Sequence, residues 1–361
     1  MSKPEEDMGI LRHVRPDIRA LGGYTTGEQQ PGFTKLNTNE CAYPPSPLVR
    51  RVLAGVSNDS LRLYPDPTSR LLRDMAAART NVPADAIIAG NGSDDCLTIL
   101  YRTFLRPGDR IACPWPSYGL YDTLAALQGA ELVRVPYRRD GDRWELPEAL
   151  AAAGARVVVV ANPNNPSSTL TPAAELRALA ERFDGIVIVD EAYVDFALPT
   201  NPEASLLPHL GKHPNLVVLR TFSKSYSLAG ARLGLLFAAP ALVAEMNKVK
   251  DSYNVNAITQ ALGVAALEDV EYHTEMVSRT VLERARLEHE LAAFGWTWPE
   301  ARGNFLLCTV GPRARAMFEA LRDERILVRY WDTPELKESI RITVGTRDQN
   351  DALLAVLRSA W

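Results

Sequence analysis

The sequence has no apolar run approaching 18 residues, so no membrane-spanning helix is expected. It has no stripe of lysine and arginine either. Its 40 basic residues face 44 acidic ones for a formal net charge of −4, which argues against nucleic acid as a partner. Cysteine is scarce: Cys41, Cys96, Cys113 and Cys308 form no Cys-x-x-Cys pair and read as reduced thiols of a cytoplasmic protein. The stretch MSKPEEDMGILRHVRPDIRAL lacks an apolar signal core, so export is not expected. No GxxxxGK[ST] phosphate loop occurs, and the turn GNGSDD has Asp95 where a dinucleotide fingerprint needs a third glycine. His209 and His213 stand four apart in a proline-bounded stretch without a third ligand, so a surface loop is expected there and no metal site. Internal repeats and low-complexity tracts are missing as well.

What the sequence does have is a hydrophobic fraction of 46%, enough for a large core. From about residue 86 to 238, short runs rich in valine and isoleucine alternate with helical patterns: 86–90, 110–114, 131–136, 156–162, 186–191, 216–221 and 233–238. Such runs without polar alternation describe strands buried on both faces, and hence a mostly parallel sheet of seven strands between helices in an α/β domain. Thr171 and Pro172 read as the N-cap and first residue of one of these helices. Residues 241–294 read mainly as a long amphipathic helix. Apolar runs at 304–310 and 339–345 flank a further helix, and Thr346 with Gln349 forms a capping box for the last one. The expected division is an N-terminal arm belonging to the small domain (1–42), a large α/β domain (43–245), and a linking helix with a small α+β domain (246–361).

Ligands of an open α/β sheet gather beyond the carboxyl ends of its strands. Here those ends carry GNGSDD, PWPSYG, NPNNPSS, DEAY and TFSKS. GNGSDD offers a helix N-terminus suited to phosphate around Ser93 and Asp94, or simply an N-cap at Ser93. Asp190 and Glu191 end a buried strand, where a carboxylate needs a cationic partner, either structural or part of a ligand. Tyr193 can donate its phenol into the same place. Asn165 can offer an amide, and Tyr118 a face for stacking on a flat ring. Lys224, at the end of another buried strand, is a desolvated amine able to form a Schiff base. Ser223, Ser225 and Arg232 suit an adjacent phosphate. A carbonyl, a phosphate, an aromatic ring and a cationic ring nitrogen in one ligand describe pyridoxal phosphate (PLP).

The chain resembles the fold-type I PLP-dependent aminotransferases, and within them the histidinol-phosphate aminotransferase family. The resemblance spans nearly its whole length through VRPDIRAL, KLNTNE, YPD, GNGSDD, NNP, DEAY, RTFSKSYSLAGARLG and RITVGTRD. It implies that Lys224 holds PLP covalently and moves the proton between the substrate Cα and C4′ of the cofactor. It implies that Asp190 keeps the pyridine nitrogen protonated, that Asn165 and Tyr193 bond the phenolic oxygen, and that Tyr118 stacks on the ring. Backbone at Ser93 and Asp94, with Ser223 and Arg232, is implied to hold the phosphate. Tyr64 is implied to reach the phosphate of a neighbouring subunit, hence a homodimer with shared sites. Arg341 and Arg329 are implied to take the substrate carboxylate and the phosphate of histidinol phosphate, and Tyr24 and Asn39 to lie where the arm closes over the substrate.

The implied reaction transfers an amino group from L-histidinol phosphate to 2-oxoglutarate, giving imidazole-acetol phosphate and L-glutamate. Some positions depart from the family pattern. Ser168 replaces a frequent glycine after NNP, Cys41 and Ala42 interrupt NENPY, and Tyr330–Trp331 place aromatic bulk beside Arg329. The last keeps an aromatic amino acid aminotransferase open as an alternative, and a threonine-phosphate decarboxylase shares most of the motifs. A non-catalytic regulator lacks its DNA-binding module here, and a nicotinamide dehydrogenase leaves Lys224, Asn165 and Asp190 without a purpose.

Overall fold

A computed structural model describes residues 9–23 and 25–360. Its centre is a seven-stranded sheet of β1 (Ile87–Gly90), β2 (Arg110–Trp115), β3 (Glu131–Pro136), β4 (Val157–Ala161), β5 (Ile186–Asp190), β6 (Leu216–Thr221) and β7 (Gly234–Ala238), in the spatial order β1-β7-β6-β5-β4-β2-β3. All neighbours are parallel except β7, which runs antiparallel to both β1 and β6. Period-two alternation divides the side chains between two cores. Val158, Val160, Val187 and Val189 enter one, while Val157, Val159 and Ile188 enter the other. Burial on both faces explains why these strands read as unbroken apolar runs.

Helices α1 (Pro47–Ala54), α2 (Arg70–Thr80), α3 (Ser93–Phe104), α4 (Leu120–Leu127) and α5 (Ala173–Arg182) precede β7 or lie between the strands. The N-cap of α5 is Pro172, without a side-chain cap, and not Thr171. Thr171 is occupied elsewhere: its N–H and C=O pair with the Asn162 side chain at 2.7 and 3.0 Å. After β7 the chain forms three helices rather than one long one: α6 (Pro240–Met246), α7 (Ala257–Glu268) and α8 (Val270–Ala292). Polar side chains cause both breaks. Asn254 leaves the helix to bond the Ala89 carbonyl and Asp95, Asn256 caps α7 at the Thr259 N–H, and Asp269 caps α8 at the Tyr272 N–H.

The smaller unit packs α9 (Ala314–Asp323) and α10 (Arg347–Ala360) on an antiparallel sheet of β8 (Phe305–Thr309), β9 (Arg329–Tyr330) and β10 (Ser339–Thr343), ordered β8-β10-β9. Thr346 and Gln349 close a reciprocal capping box before α10. The arm docks here: Thr34–Lys35 pairs in parallel with Ile326–Leu327. The segment with His209 and His213 is a 3₁₀ turn, Leu207–Lys212, in which His213 is buried instead of lying on a surface loop. Among the described residues no group of three or more potential metal ligands stands together, and no helix is long and apolar enough to cross a membrane. All four cysteines are free thiols.

Candidate active site

The chain order places the site. From β2 it moves outward to β3, then returns across β2 to β4 and proceeds through β5 and β6 in the opposite direction. Carboxyl-end loops diverge at such a reversal and leave a crevice. A cavity of about 610 Å³ opens there, between the strand ends, the arm and β9–β10. Every candidate from the sequence lines it except Tyr24, Tyr64, Glu191 and Ser225. Tyr24 lies outside the described residues. Tyr64 is on the surface away from the cavity, 81% exposed and stacked on Tyr253 at 4.5 Å between ring centroids.

Lys224 follows β6, and its Nζ donates to the Thr38 carbonyl at 3.0 Å. Burial lowers its amine to a pKa of about 8, helped by the Arg341 and Arg232 guanidinium groups and opposed by Glu40 and Asp94. Across the floor, burial raises the Asp190 carboxyl to about 6, although the Tyr121 hydroxyl (2.9 Å) and the Ala192 N–H (3.2 Å) both donate to it. Asp190 thus lies out of solvent, and the donors bonded to it among the described residues are a hydroxyl and a backbone N–H, which suits a carboxylate that pairs with a charged ligand atom. Its neighbour Glu191 points to the other face of the sheet and pairs with Arg220 at 2.8 Å, so the two carboxylates of DEAY have separate partners.

At the far end, α3 starts at Ser93 rather than being capped by it. The N-cap is Gly92, at φ +89°, with no side-chain cap. A Cβ on Gly92 would stand 2.5 Å from Arg232 Nη2, and one on Gly234 would stand 2.4 Å from the Ser93 nitrogen. Only glycine lets the arginine and the neighbouring strand come so close to the helix N-terminus. Arg232 donates to Ser223 Oγ (3.2 Å) and Asp94 Oδ2 (3.1 Å), and the Tyr118 hydroxyl donates to Asp94 Oδ1 (3.3 Å). Helix N–H groups, a serine hydroxyl and a guanidinium here form a cradle for a dianion. Amine, buried carboxylate and dianion cradle line one cavity with Tyr118 and fit the aldehyde, the ring nitrogen and the phosphate of PLP.

The third wall is formed by β9, β10 and the arm. Arg341 of β10 donates to the Asn37 carbonyl (2.7 Å) and to Asn165 Oδ1 (2.5 Å). Arg329 of β9 donates to the carbonyls of Thr25 and Thr26 at 3.0 Å each. Asn39 donates to the Tyr193 hydroxyl at 3.1 Å and is fastened to Thr343 of β10 by two bonds of 3.0 Å. The arm is therefore joined both to Tyr193 and to the β9–β10 side of the cavity.

Three contributors were not singled out from the sequence. Tyr121 holds Asp190 from the first turn of α4, and its signal is a second tyrosine three residues after Tyr118. Glu40 lines the cavity; burial pushes its carboxyl up, but Lys35 (2.7 Å) and Thr38 (2.8 Å) bring it below the ordinary value. The Thr38 carbonyl that meets Lys224 has no signal in the sequence. Ser225, expected to suit the phosphate, lies off the cavity lining and donates to Asp195 Oδ2 instead. Ser168, in place of a frequent glycine, adopts φ +66°, and its hydroxyl accepts the Gly303 N–H at 2.8 Å.

Comparison with known proteins agrees with this geometry. The family model for aminotransferase class I and II matches residues 31–357. Histidinol-phosphate aminotransferase 1 of Trichormus variabilis is 39% identical over 354 residues, covering 97% of this chain and 99% of the relative. The histidinol-phosphate aminotransferase of Syntrophotalea carbinolica is 40% identical over 351 residues, covering 96% and 99%. The crystal structure of histidinol-phosphate aminotransferase from Sinorhizobium meliloti in complex with pyridoxal-5'-phosphate superimposes with a TM-score of 0.87 at 28% identity, covering 96% of this chain and 98% of that one.

Proposed function

Since the chain belongs to the class I and II aminotransferases, we propose that it transfers the amino group of L-histidinol phosphate to 2-oxoglutarate, giving imidazole-acetol phosphate and L-glutamate in histidine biosynthesis. The observation that carries this is one cavity holding Lys224, Asp190 and two arginines, Arg329 and Arg341. PLP, when bound, supplies an electron-withdrawing ring that stabilises negative charge at the substrate Cα.

The chain's own residues do the rest. Lys224 holds the cofactor covalently, and its lowered pKa lets it take the proton from Cα near neutral pH. Asp190 keeps a proton on the ring nitrogen, oriented by Tyr121. Asn165 and Tyr193 bond the ring oxygen, and Tyr118 covers the ring face. The α3 N-terminus at Ser93 and Asp94, with Ser223 and Arg232, binds the cofactor phosphate. Arg329 takes the phosphate of L-histidinol phosphate, its one anionic group, and Arg341 takes the α-carboxylate of 2-oxoglutarate, whose second carboxylate is left to Arg329, so the two substrates share one pair of guanidinium groups.

Trp331, which lines the cavity, favours a second reading as an aromatic amino acid aminotransferase. Steady-state rates with L-histidinol phosphate and with L-phenylalanine, each with 2-oxoglutarate, separate the two. No glutamate formed from histidinol phosphate rejects the first. The same proposal includes a homodimer, supported by the exposed apolar residues Leu61, Leu63, Tyr64 and Leu71, and a cytoplasmic location.

A further inference from the structure

Beneath the cavity floor lies a buried polar cluster that the steps above do not use. Val187 and Val189 of β5 and Leu216 and Val218 of β6 enter the same core, so the alternation carries Glu191 and Arg220 to that face and Asp190 to the other. Arg220 there uses its whole fork: Nε donates to Glu191 Oε2 (2.8 Å), Nη1 to Asp195 Oδ1 (2.7 Å) and Nη2 to Ser205 Oγ (3.0 Å). Glu191 also accepts from Ser205 Oγ (2.9 Å) and the Leu206 N–H (2.6 Å), and its side chain has no exposed surface. Asp195 accepts from the hydroxyl of Ser225, the residue after Lys224, with His273 Nε2 3.7 Å away. A buried ion group of this kind adds little stability over apolar packing. What it adds is geometry: a planar fork with all three of its nitrogens bonded is held in one arrangement.

We propose that Arg220 and Asp195 are positioning residues for the transamination. Arg220 grips Glu191, whose main chain adjoins Asp190, and through Asp195 and Ser225 it grips the main chain that adjoins Lys224. One guanidinium thus sets the separation of the amine and the carboxylate that act on opposite ends of the cofactor ring. The inference rests on the roles proposed above for Lys224 and Asp190. The charged groups facing Lys224 itself are Arg341 from β10, Glu40 from the arm, Asp94 from α3 and Arg232, so any slack in the main chain changes its distance to all four.

The test uses the full-length PLP-loaded protein and two variants. Ser225→Ala removes one hydroxyl and leaves the Arg220 ion group whole, so it keeps its fold. Arg220→Lys keeps the charge but loses the fork. For each we measure kcat and KM for the amino donor, the melting temperature, and the pH at which the visible absorption changes. Ser225→Ala is expected to lower kcat about 3- to 10-fold with KM within roughly twofold. Its spectral midpoint is expected to shift by about half a pH unit, as the nitrogen of Lys224 changes its distance to those four charges. Arg220→Lys moves both in the same direction and further. An unmoved midpoint with unchanged kcat in Ser225→Ala overturns the proposal, whatever happens to the melting temperature. If the wild type itself shows no visible band that borohydride removes, the role of Lys224 fails first; a normal wild-type band with unmoved variants rejects the positioning role alone.

Discussion

Arg329 and Arg341 are register partners on adjacent antiparallel strands, and the Trp331 ring lies 5.3 Å from one guanidinium and 5.2 Å from the other. Like charges opposite each other in a sheet repel. Here the indole face attracts both, and carbonyls of the arm and of Asn37 accept their protons. A bound dianion supplies a counter-charge to the pair. Arg329→Ala should therefore raise KM for L-histidinol phosphate by about 10- to 100-fold, as expected for losing a charge-assisted anion contact. The rate of the L-phenylalanine half-reaction, read in single turnover without 2-oxoglutarate, should change less than roughly threefold, because that donor brings a carboxylate for Arg341 and no phosphate for Arg329. Equal losses with both donors would mean that Arg329 serves the arm and not the substrate.

Lys224→Ala should lower turnover by at least ~10⁴-fold, since both the covalent anchor and the general base are lost. PLP should still bind through the dianion cradle and Asp190. The measurement is absorbance of the dialysed variant with and without PLP. A variant that turned over at a tenth of the wild-type rate would take the chemistry away from Lys224.

Legibility in the sequence followed the range of the interactions. The seven strands could be read because burial on both faces writes an unbroken apolar run, and cavity-lining residues such as Asp190 and Lys224 because they end or closely follow such a run. The breaks in 241–294 could not, since Asn254 leaves the helix for partners at Ala89 and Asp95, far away in the chain. Neither could the Thr38 carbonyl beside Lys224 or the pairing of Asn39 with Tyr193, which come from docking of the arm. Glu191 and Asp190 look equivalent in DEAY, and only the alternation along β5 assigns one to the site and the other to Arg220.

Asp190 makes the cofactor-free protein sensitive to pH. Its folded pKa, raised from 3.8 to about 6, means that the folded state holds the proton more tightly than the unfolded state. Its contribution is fully present below pH 3.8 and is lost as pH rises through 6, leaving a penalty of roughly 3 kcal/mol at neutral pH. Asp190→Asn removes the buried charge, so it should equal or exceed the wild type in melting temperature at pH 8 without PLP. With PLP the order should reverse, because only the carboxylate pairs with a protonated ring nitrogen. Thermal melts of both proteins, with and without PLP at pH 5 and pH 8, check the crossing. A variant less stable than wild type at pH 8 in both states contradicts it.

Ser168 tests how a side chain holds a backbone conformation that favours glycine. At φ +66° a non-glycine residue costs about 1–2 kcal/mol. The structure offsets this with three bonds: the Ser168 N–H donates to the Asn164 carbonyl (2.7 Å), its carbonyl accepts from Arg302 (2.7 Å), and its hydroxyl accepts from Gly303 (2.8 Å). Only the last depends on the side chain, and it joins the Asn165 loop to the residues leading into β8. Ser168→Gly relieves the strain but strands the Gly303 N–H, which costs about 1–3 kcal/mol, so the two effects nearly cancel. Ser168→Ala keeps the strain and strands the same N–H, so it should be the less stable by about 1 kcal/mol or more. Denaturant melts of the two variants decide the order. If alanine matched glycine, strain at this position would be negligible, and the hydroxyl bond alone would explain why serine is tolerated.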